Sequence, residues 1–351
     1  MLAARLHAAH DLRVEECPDP LLKPGEARVR VACGGICGSD LSYFNKGGVG
    51  DFRVLEPLTL GHEVSGEVVE LAPHPDWPSR PGVTVGSRVA INPSRPCLHC
   101  GFCRSGRANL CRNMRFLGSA ALMPHVQGAF SETVTVRADQ CVPVPADMPF
   151  RVAACAEPLA VALHGVRRAG PLVGRHVLIA GAGPIGLLCL AAALHAGAAT
   201  VTVTDLFEAP LDIARAMGAA ETVDVRAEPD RLAHVAAVRG GFDVALEATG
   251  SAASAIGMPT LMRPGSRIVQ LGMLPPGAVA LPVNLLMSRE IDLVGSFRFG
   301  EEFDVAVEAL AIKRIDVTPI LSGTFPLQEA NAAFALAGDR QRAIKVHLEI
   351  G

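Results

Sequence analysis

The chain has 351 residues, of which 50% are hydrophobic and 19% charged, and its formal net charge is −3. This balance excludes a disordered chain and gives no general attraction to nucleic acid or anionic membranes, so neither is expected as a partner. The length allows two domains with a core each. The first residues lack the apolar run of a signal peptide. The ten cysteines are therefore expected to be thiols and metal ligands of a cytoplasmic protein, not disulfides.

Residues 1 to about 150 alternate short β-like runs with turns rich in proline and glycine. Residues 27–31 and 67–71 are two such runs. Strands punctuated in this way predict an irregular all-β domain.

Two short motifs in this region carry reactive side chains. Cys37 and Ser39 stand two residues apart among glycines, and His62 with Glu63 ends a loop that begins with a proline. Each motif is ambiguous by itself, because a free cysteine is more often packed than ligating. A lone histidine is likewise more often a hydrogen-bonded structural group.

Four cysteines within fifteen residues form the most specific metal signal in the chain: Cys97, Cys100, Cys103 and Cys111. Four thiolates can close a tetrahedron around Zn²⁺ and leave no open position, which is typical of a structural site. The alternatives are a redox pair, an iron–sulfur cluster and a nucleic-acid-binding zinc ribbon. The surrounding segment lacks the basic, aromatic-studded surface that a ribbon would need.

A helix is predicted to begin at Glu157 and Pro158. The carboxylate of Glu157 can complement the positive end of this helix, or it can point into a cleft between domains. His164, seven residues later, is expected to be structural.

A charge-free stretch from residue 177 to 204 predicts a strand, a glycine-rich turn, a helix to about residue 195 and a second strand that ends at Asp205. The turn has the pattern G-x-G-x-x-G, and a carboxylate follows about twenty residues later, as in dinucleotide-binding units. Glycines and a proline inside the stretch argue against a transmembrane helix. The expected cofactor-binding residues are Gly181, Gly183, Pro184, Ile185, Gly186 and Asp205, and Asp205 favours NAD because it would repel a 2′-phosphate.

Further strands are predicted at residues 243–247, 267–271 and 291–295, in addition to 177–180 and 200–204. Their alternation with helices predicts a parallel sheet covered on both faces. A helix near 301–312 and a β-like run at 343–350 complete the chain.

Over essentially the whole length, these motifs resemble the zinc-containing medium-chain dehydrogenases/reductases, and within them the polyol, sorbitol dehydrogenase-like branch. The resemblance implies an α/β protein in which a GroES-like β domain (residues 1–153 and 299–351) is combined with a Rossmann doubly wound parallel-sheet domain (154–298). A structural-zinc lobe would occupy about 95–115. It also implies two Zn²⁺ per chain, one catalytic and one structural, and a homodimer or homotetramer.

The resemblance further implies site roles. Cys37 and His62 would bind the catalytic zinc, with Glu63 and Glu157 as alternates at a third position, and Ser39 would start the proton relay. The substrate pocket would include Tyr43, Phe116 and Arg298. The nicotinamide half or the phosphates would meet a further set: Leu271, Gly272, Met273, Phe297 and Lys345.

Two positions depart from the family pattern. Ser42 stands where several alcohol dehydrogenases have a relay histidine, so the proton would leave through Ser39, cofactor ribose and water. Pro210 replaces an arginine that packs near the adenine in many relatives.

The expected function is NAD-dependent oxidation of a secondary hydroxyl in a polyol or aldonate, with L-idonate to 5-keto-D-gluconate favoured. Alternatives are a sorbitol/xylitol-type dehydrogenase, a galactitol or threonine dehydrogenase, a zinc-independent quinone reductase, and a non-catalytic NAD-binding protein. A zinc-independent quinone reductase would not need the clustered cysteines as metal ligands.

Overall fold

The computed structural model describes residues 1–74 and 80–351. Within them no helix is both long and apolar enough to cross a bilayer.

The N-terminal part is mainly β-structure, as predicted, but it also holds a helix directly after Cys37. Its elements are β1 (Leu2–Ala8), β2 (Asp11–Glu16), β3 (Glu26–Gly35), α1 (Gly38–Lys46), β4 (Gly48–Val49), β5 (Phe52–Arg53), β6 (Leu58–Thr59), β7 (Glu63–Leu71), β8 (Arg88–Ile91), β9 (Ser94–Arg95), α2 (Gly101–Arg104), β10 (Arg115–Phe116), β11 (Thr133–Arg137) and β12 (Cys141–Pro143).

The middle part alternates helices and strands. It contains α3 (Phe150–Ala154), α4 (Ala156–Ala169), β13 (His176–Ala180), α5 (Pro184–His195), β14 (Thr200–Asp205), α6 (Glu208–Ala216), β15 (Glu221–Asp224), α7 (Arg231–Arg239), β16 (Phe242–Glu247), α8 (Ala252–Gly257), β17 (Met262–Gln270), α9 (Val283–Ser288) and β18 (Asp292–Gly295). The chain ends with α10 (Glu302–Ala311), β19 (Leu321–Pro326), α11 (Ala330–Gly338) and β20 (Lys345–Glu349).

The middle strands form one parallel sheet in the order β15-β14-β13-β16-β17-β18. The central strands are buried on both faces, since all six residues of β16 and four of the five in β13 are buried. This confirms the Rossmann-type expectation. Strand β15 was not among the predicted strands, because only Val223 of its four residues is buried.

The last strand of the chain returns to the N-terminal sheet. β20 pairs antiparallel with β3 and parallel with β19, within a seven-stranded sheet that also contains β7, β8, β11 and β12. β3 also pairs with β7, and this register places Gly35 opposite Glu63. Residues from three distant parts of the sequence therefore meet at one end of β3.

Candidate active site

Three potential metal ligands converge where β3 and β7 pair. Ligand atoms of Cys37, His62 and Glu63 all lie within 4.8 Å of one another. Cys37 precedes α1, His62 immediately precedes β7, and Glu63 is the first residue of β7; His62 and Glu63 are 5% and 1% exposed. A thiol, an imidazole and a carboxylate in a buried cluster are the donor set that catalytic zinc uses.

Asp40 supports this cluster from α1, a role that the sequence reasoning did not assign. Its buried carboxylate accepts hydrogen bonds from the backbone N–H groups of Cys37 at 2.9 Å and Gly61 at 3.3 Å, and lies 3.8 Å from Nδ1 of His62. Burial raises the pKa of Asp40 although His62 and these bonds oppose the shift. A carboxylate facing the far side of a metal-binding histidine orients its ring.

Lys345, which the sequence predicts to contact the cofactor, lies beside the metal cluster in the structure. Its Nζ donates to both carboxylate oxygens of Glu63, at 2.8 and 2.7 Å, and to the Ile36 carbonyl at 3.1 Å. Both side chains are 1% exposed. Burial is the largest influence on the pKa of Glu63 and opposes its ionisation, but the charge and hydrogen bond of Lys345 together with His62 and His347 outweigh burial, so the pKa is lowered. Because β20 lies beside β3, Lys345 is directed at the carboxylate and is enclosed there.

Glu157 lies in the first turn of α4 and is 5% exposed. It is outside the tight group formed by Cys37, His62 and Glu63. Burial raises the pKa of Glu157 to about 8, against the attraction of His62. The carboxyl group therefore faces the same buried space as the cluster.

Arg298 and Phe116 lie beside these groups. The Phe116 ring is 5.4 Å from the His62 ring, and the Arg298 guanidinium carbon is 4.7 Å from the Phe116 centroid and 4.9 Å from that of Phe297. Burial lowers the pKa of Arg298, with Glu157 opposing the shift. Among residues 1–74 and 80–351 the Arg298 guanidinium contacts the rings of Phe116 and Phe297 and forms no ion pair with a carboxylate.

Three further residues of α1, Ser39, Ser42 and Tyr43, differ in their surroundings. Tyr43 is 4% exposed, and its hydroxyl accepts a hydrogen bond from Ala120 N–H at 3.1 Å. Burial is the main cause that raises the pKa of Cys37 to about 12, and a hydrogen bond with the Ser39 hydroxyl acts against it. Ser42 donates to the Gly38 carbonyl at 3.0 Å, so its hydroxyl bonds within its own helix.

The glycine turn between β13 and α5 fits a dinucleotide. A Cβ on Gly183 would meet no atom within 4 Å, and this open space lies at the N-terminus of α5, where phosphates bind. A Cβ on Gly186 would lie 1.7 Å from the Gly181 carbonyl oxygen, so helix and turn touch there. Asp205 ends β14 and accepts from Ala182 N–H at 2.7 Å, which ties the carboxylate to the turn. Pro210 is buried in the first turn of α6.

The predicted nicotinamide contacts follow β17 and β18. The backbone N–H groups of Leu271 and Gly272 donate to the Glu247 carbonyl, while Met273 and Phe297 are 60% and 49% exposed. The Glu247 side chain, which sequence reasoning missed, is fully buried and accepts from Gln270 Nε2 at 2.6 Å and Gly250 N–H at 3.1 Å. It fixes the loops at the carboxyl ends of β16 and β17.

The four-cysteine lobe is closed by the β9–β10 pair. Its four sulfurs lie within 4.8 Å of one another. Backbone hydrogen bonds, that from Cys103 foremost, lower the pKa of Cys100 to about 6. Such a group fits a tetrahedral thiolate site for zinc. From the lobe, Asn109 Nδ2 donates to the Phe297 carbonyl at 3.1 Å.

His164, expected to be structural, bonds through Nδ1 to Glu302 Oε1 at 2.9 Å.

Comparison with known proteins identifies the class of protein to which the chain belongs. The alcohol dehydrogenase GroES-like domain matches residues 23–146, and the zinc-binding dehydrogenase domain matches residues 184–312. L-Idonate 5-dehydrogenase (NAD(P)(+)) of Escherichia coli K12 is 42% identical over 321 residues, 91% of this chain and 90% of that protein. Sorbitol dehydrogenase of Bacillus subtilis is 32% identical over 96% of this chain and 93% of its own length.

A solved structure of L-idonate 5-dehydrogenase from Escherichia coli K-12 superposes with a TM-score of 0.92 at 38% identity, covering 99% of this chain and 97% of that one. Fold, donor groups and similarity together define a zinc- and NAD(P)-dependent alcohol/polyol dehydrogenase. The chain belongs to the zinc-containing medium-chain dehydrogenases/reductases, in their polyol branch.

Proposed function

We propose that this enzyme oxidises a secondary hydroxyl of a sugar acid or polyol with NAD⁺, and that L-idonate, giving 5-keto-D-gluconate, is the favoured substrate. The observation that carries this choice is Arg298, a guanidinium one aromatic ring away from His62. A guanidinium can pair with a carboxylate or with two hydroxyls, which a simple alcohol lacks. The similarity to an L-idonate dehydrogenase supports the same choice.

In the proposed site, Cys37 and His62 would hold the catalytic zinc, with Glu63 and Glu157 as alternates for the third position. A zinc ion held there would supply Lewis-acid polarisation of the hydroxyl, and a nicotinamide cofactor would supply the hydride acceptor. Ser39 would take up the hydroxyl proton and start its relay toward cofactor ribose and water. Arg298, Tyr43 and Phe116 orient the substrate, so that its reacting carbon faces the nicotinamide.

The cofactor site is proposed on the 181–186 turn, with Leu271, Gly272, Met273 and Phe297 at the nicotinamide end. Asp205 favours NAD over NADP because a carboxylate beside the adenosine ribose repels a 2′-phosphate. Since β20 pairs with β3, the proposed division into 1–153 with 299–351, and 154–298, remains the simplest. The outermost strand β18 exposes Leu293 at 42% and is proposed as the edge through which a homodimer or homotetramer forms.

A substrate panel tests the proposal. L-Idonate, D-gluconate, sorbitol, xylitol and 2-propanol are assayed with NAD⁺ and NADP⁺. We expect the highest kcat/KM with L-idonate and NAD⁺. Preference for sorbitol or xylitol would favour the polyol alternative that the sorbitol dehydrogenase relative supports. No turnover with any of them would contradict the proposal.

Arg298→Ala tests the observation that carries the proposal. Hydrogen bonds to charged groups contribute about 1.5–3 kcal/mol, so KM for L-idonate should rise roughly 10- to 100-fold. The KM for 2-propanol should change little. Arg115→Ala is the matched control, because it removes an equal charge from an exposed position beside Phe116. Equal changes for both substrates would refute the role of Arg298.

A further inference from the structure

Arg298 has a backbone conformation that requires support. Its φ is +55°, in the left-handed region that residues with a Cβ rarely adopt. Such a conformation persists only where the surrounding structure holds it, and it is often found at binding sites. What holds this residue therefore also sets the direction of its guanidinium.

The backbone on each side of Arg298 is held by a side chain from another element. Asn109 binds the Phe297 carbonyl on one side. On the other, the Gly300 N–H donates to Glu302 Oε2 at 2.7 Å. Between them the Phe299 side chain is 2% exposed and packs on Phe303, with ring centroids 5.7 Å apart.

Glu302 connects this turn to helix α4. Its other carboxylate oxygen, Oε1, binds His164 Nδ1 at 2.9 Å and Arg167 at 3.1 Å, and the residue is 4% exposed. Burial opposes ionisation of Glu302, yet the hydrogen bonds from His164 and from backbone N–H groups lower its pKa to about 2. Helix α4 carries Glu157 in its first turn. One ionised carboxylate thus joins the Arg298 turn to the helix that supplies Glu157.

We propose that Glu302 is a positioning residue for polyhydroxylated or anionic substrates: it fixes the Arg298 turn against α4 and so places the guanidinium at a set distance from the metal cluster. This inference rests on the proposed role of Arg298 in substrate binding. Glu302 itself lies behind the turn and does not touch the substrate.

Glu302→Gln is the test variant. The carboxylate accepts hydrogen bonds at both oxygens, so either orientation of an amide turns an N–H group toward another donor. Glu301→Gln is the matched control, since Glu301 is adjacent, its side chain is 72% exposed, and it also contacts Arg167. We expect KM for L-idonate, or for the best substrate of the panel, to rise about tenfold in Glu302→Gln with kcat within twofold. Glu301→Gln should behave as wild type.

A double-mutant cycle separates positioning from general damage. In an Arg298→Ala background the KM effect of Glu302→Gln should vanish, because no guanidinium is left to place. Hydrogen exchange of the peptide covering residues 297–301 should accelerate in Glu302→Gln and not in Glu301→Gln. The exchange readout needs no substrate, and the cycle is run with whichever substrate of the panel is best.

Three outcomes would overturn the inference: an unchanged KM in Glu302→Gln, equal effects of the two glutamine variants, or undiminished effects in the Arg298→Ala background. If Arg298→Ala alone leaves KM unchanged, the substrate role of Arg298 fails instead, while faster exchange at 297–301 would still report the tether. The two failures are therefore distinguishable.

Discussion

The glycine turn allows a prediction in which two neighbouring glycines have opposite roles. Alanine at Gly183 meets no atom of the protein, whereas alanine at Gly186 would place its Cβ 1.7 Å from the Gly181 carbonyl oxygen. Gly183→Ala should therefore fold normally and bind NAD⁺ poorly. Gly186→Ala should lose stability first.

The structure sets the size of both effects. Relieving the Gly186 clash requires a movement of roughly 1.5 Å between α5 and the turn, and overpacking of this kind costs about 1–3 kcal/mol. For a domain of this size that lowers Tm by about 2–12 °C. At Gly183, φ is −72°, which alanine adopts freely. Its stability should stay within about 1 kcal/mol of wild type, the usual difference at a helix N-cap. Loss of one or two backbone bonds to phosphate should weaken NAD⁺ binding roughly 10- to 100-fold.

Denaturant unfolding of the cofactor-free proteins and calorimetric titration with NADH measure the two quantities separately. Wild-type protein is the reference for both variants. Gly197→Ala is unsuitable as a further control, because alanine would be strained at the positive φ of Gly197. Wild-type NADH affinity in Gly183→Ala would refute the reasoning, because the pyrophosphate could not then approach that backbone. Unchanged stability in Gly186→Ala would show that the helix shifts without cost.

Three further predictions concern charges and metal. Lys345→Met leaves the Glu63 carboxylate buried without its partner, so the free energy of unfolding of the zinc-free protein, measured with denaturant, should fall by about 3–5 kcal/mol. Added zinc should restore part of this loss. Wild-type stability of the zinc-free variant would contradict the prediction. The pKa of Glu302 is about 2 in the fold against an ordinary 4.5, so its ionised form stabilises above that ordinary value and the contribution fades as pH falls toward 2. The difference in unfolding free energy between wild type and Glu302→Gln should thus be constant near neutral pH and shrink below about pH 4.5. A difference that grows as the pH falls would contradict the stabilising role of the ionised carboxylate. Metal analysis should find two zinc ions per chain in wild type and one in Cys103→Ser, and the Cys103→Ser variant should unfold at a lower temperature. An unchanged zinc content in this variant would contradict the four-thiolate assignment.

Features that depend on one short stretch of sequence could be predicted. The Rossmann unit was recognised because its glycines, flanking buried strands and terminal carboxylate all fall between residues 177 and 205. The four-cysteine cluster was recognised for the same reason. The fold class followed from these patterns and from the resemblance to a family.

Contacts between distant residues were not predictable in this way. Lys345 and Glu63 are 282 positions apart, and only the pairing of β20 with β3 brings them together. His164 and Glu302 are 138 positions apart, and each alone looks like an ordinary surface polar residue. The short strand β15 lacked an apolar pattern, because at the edge of a sheet a single buried valine is enough to hold it.

The hydrogen bond from Asn109 to the Phe297 carbonyl connects the four-cysteine lobe to the Arg298 turn. Partial loss of zinc from the lobe would accordingly appear in kinetic work as a raised Michaelis constant. Preparations of this enzyme should therefore be compared at equal zinc content. An apparent difference in substrate specificity between two preparations calls first for a measurement of the zinc content of each.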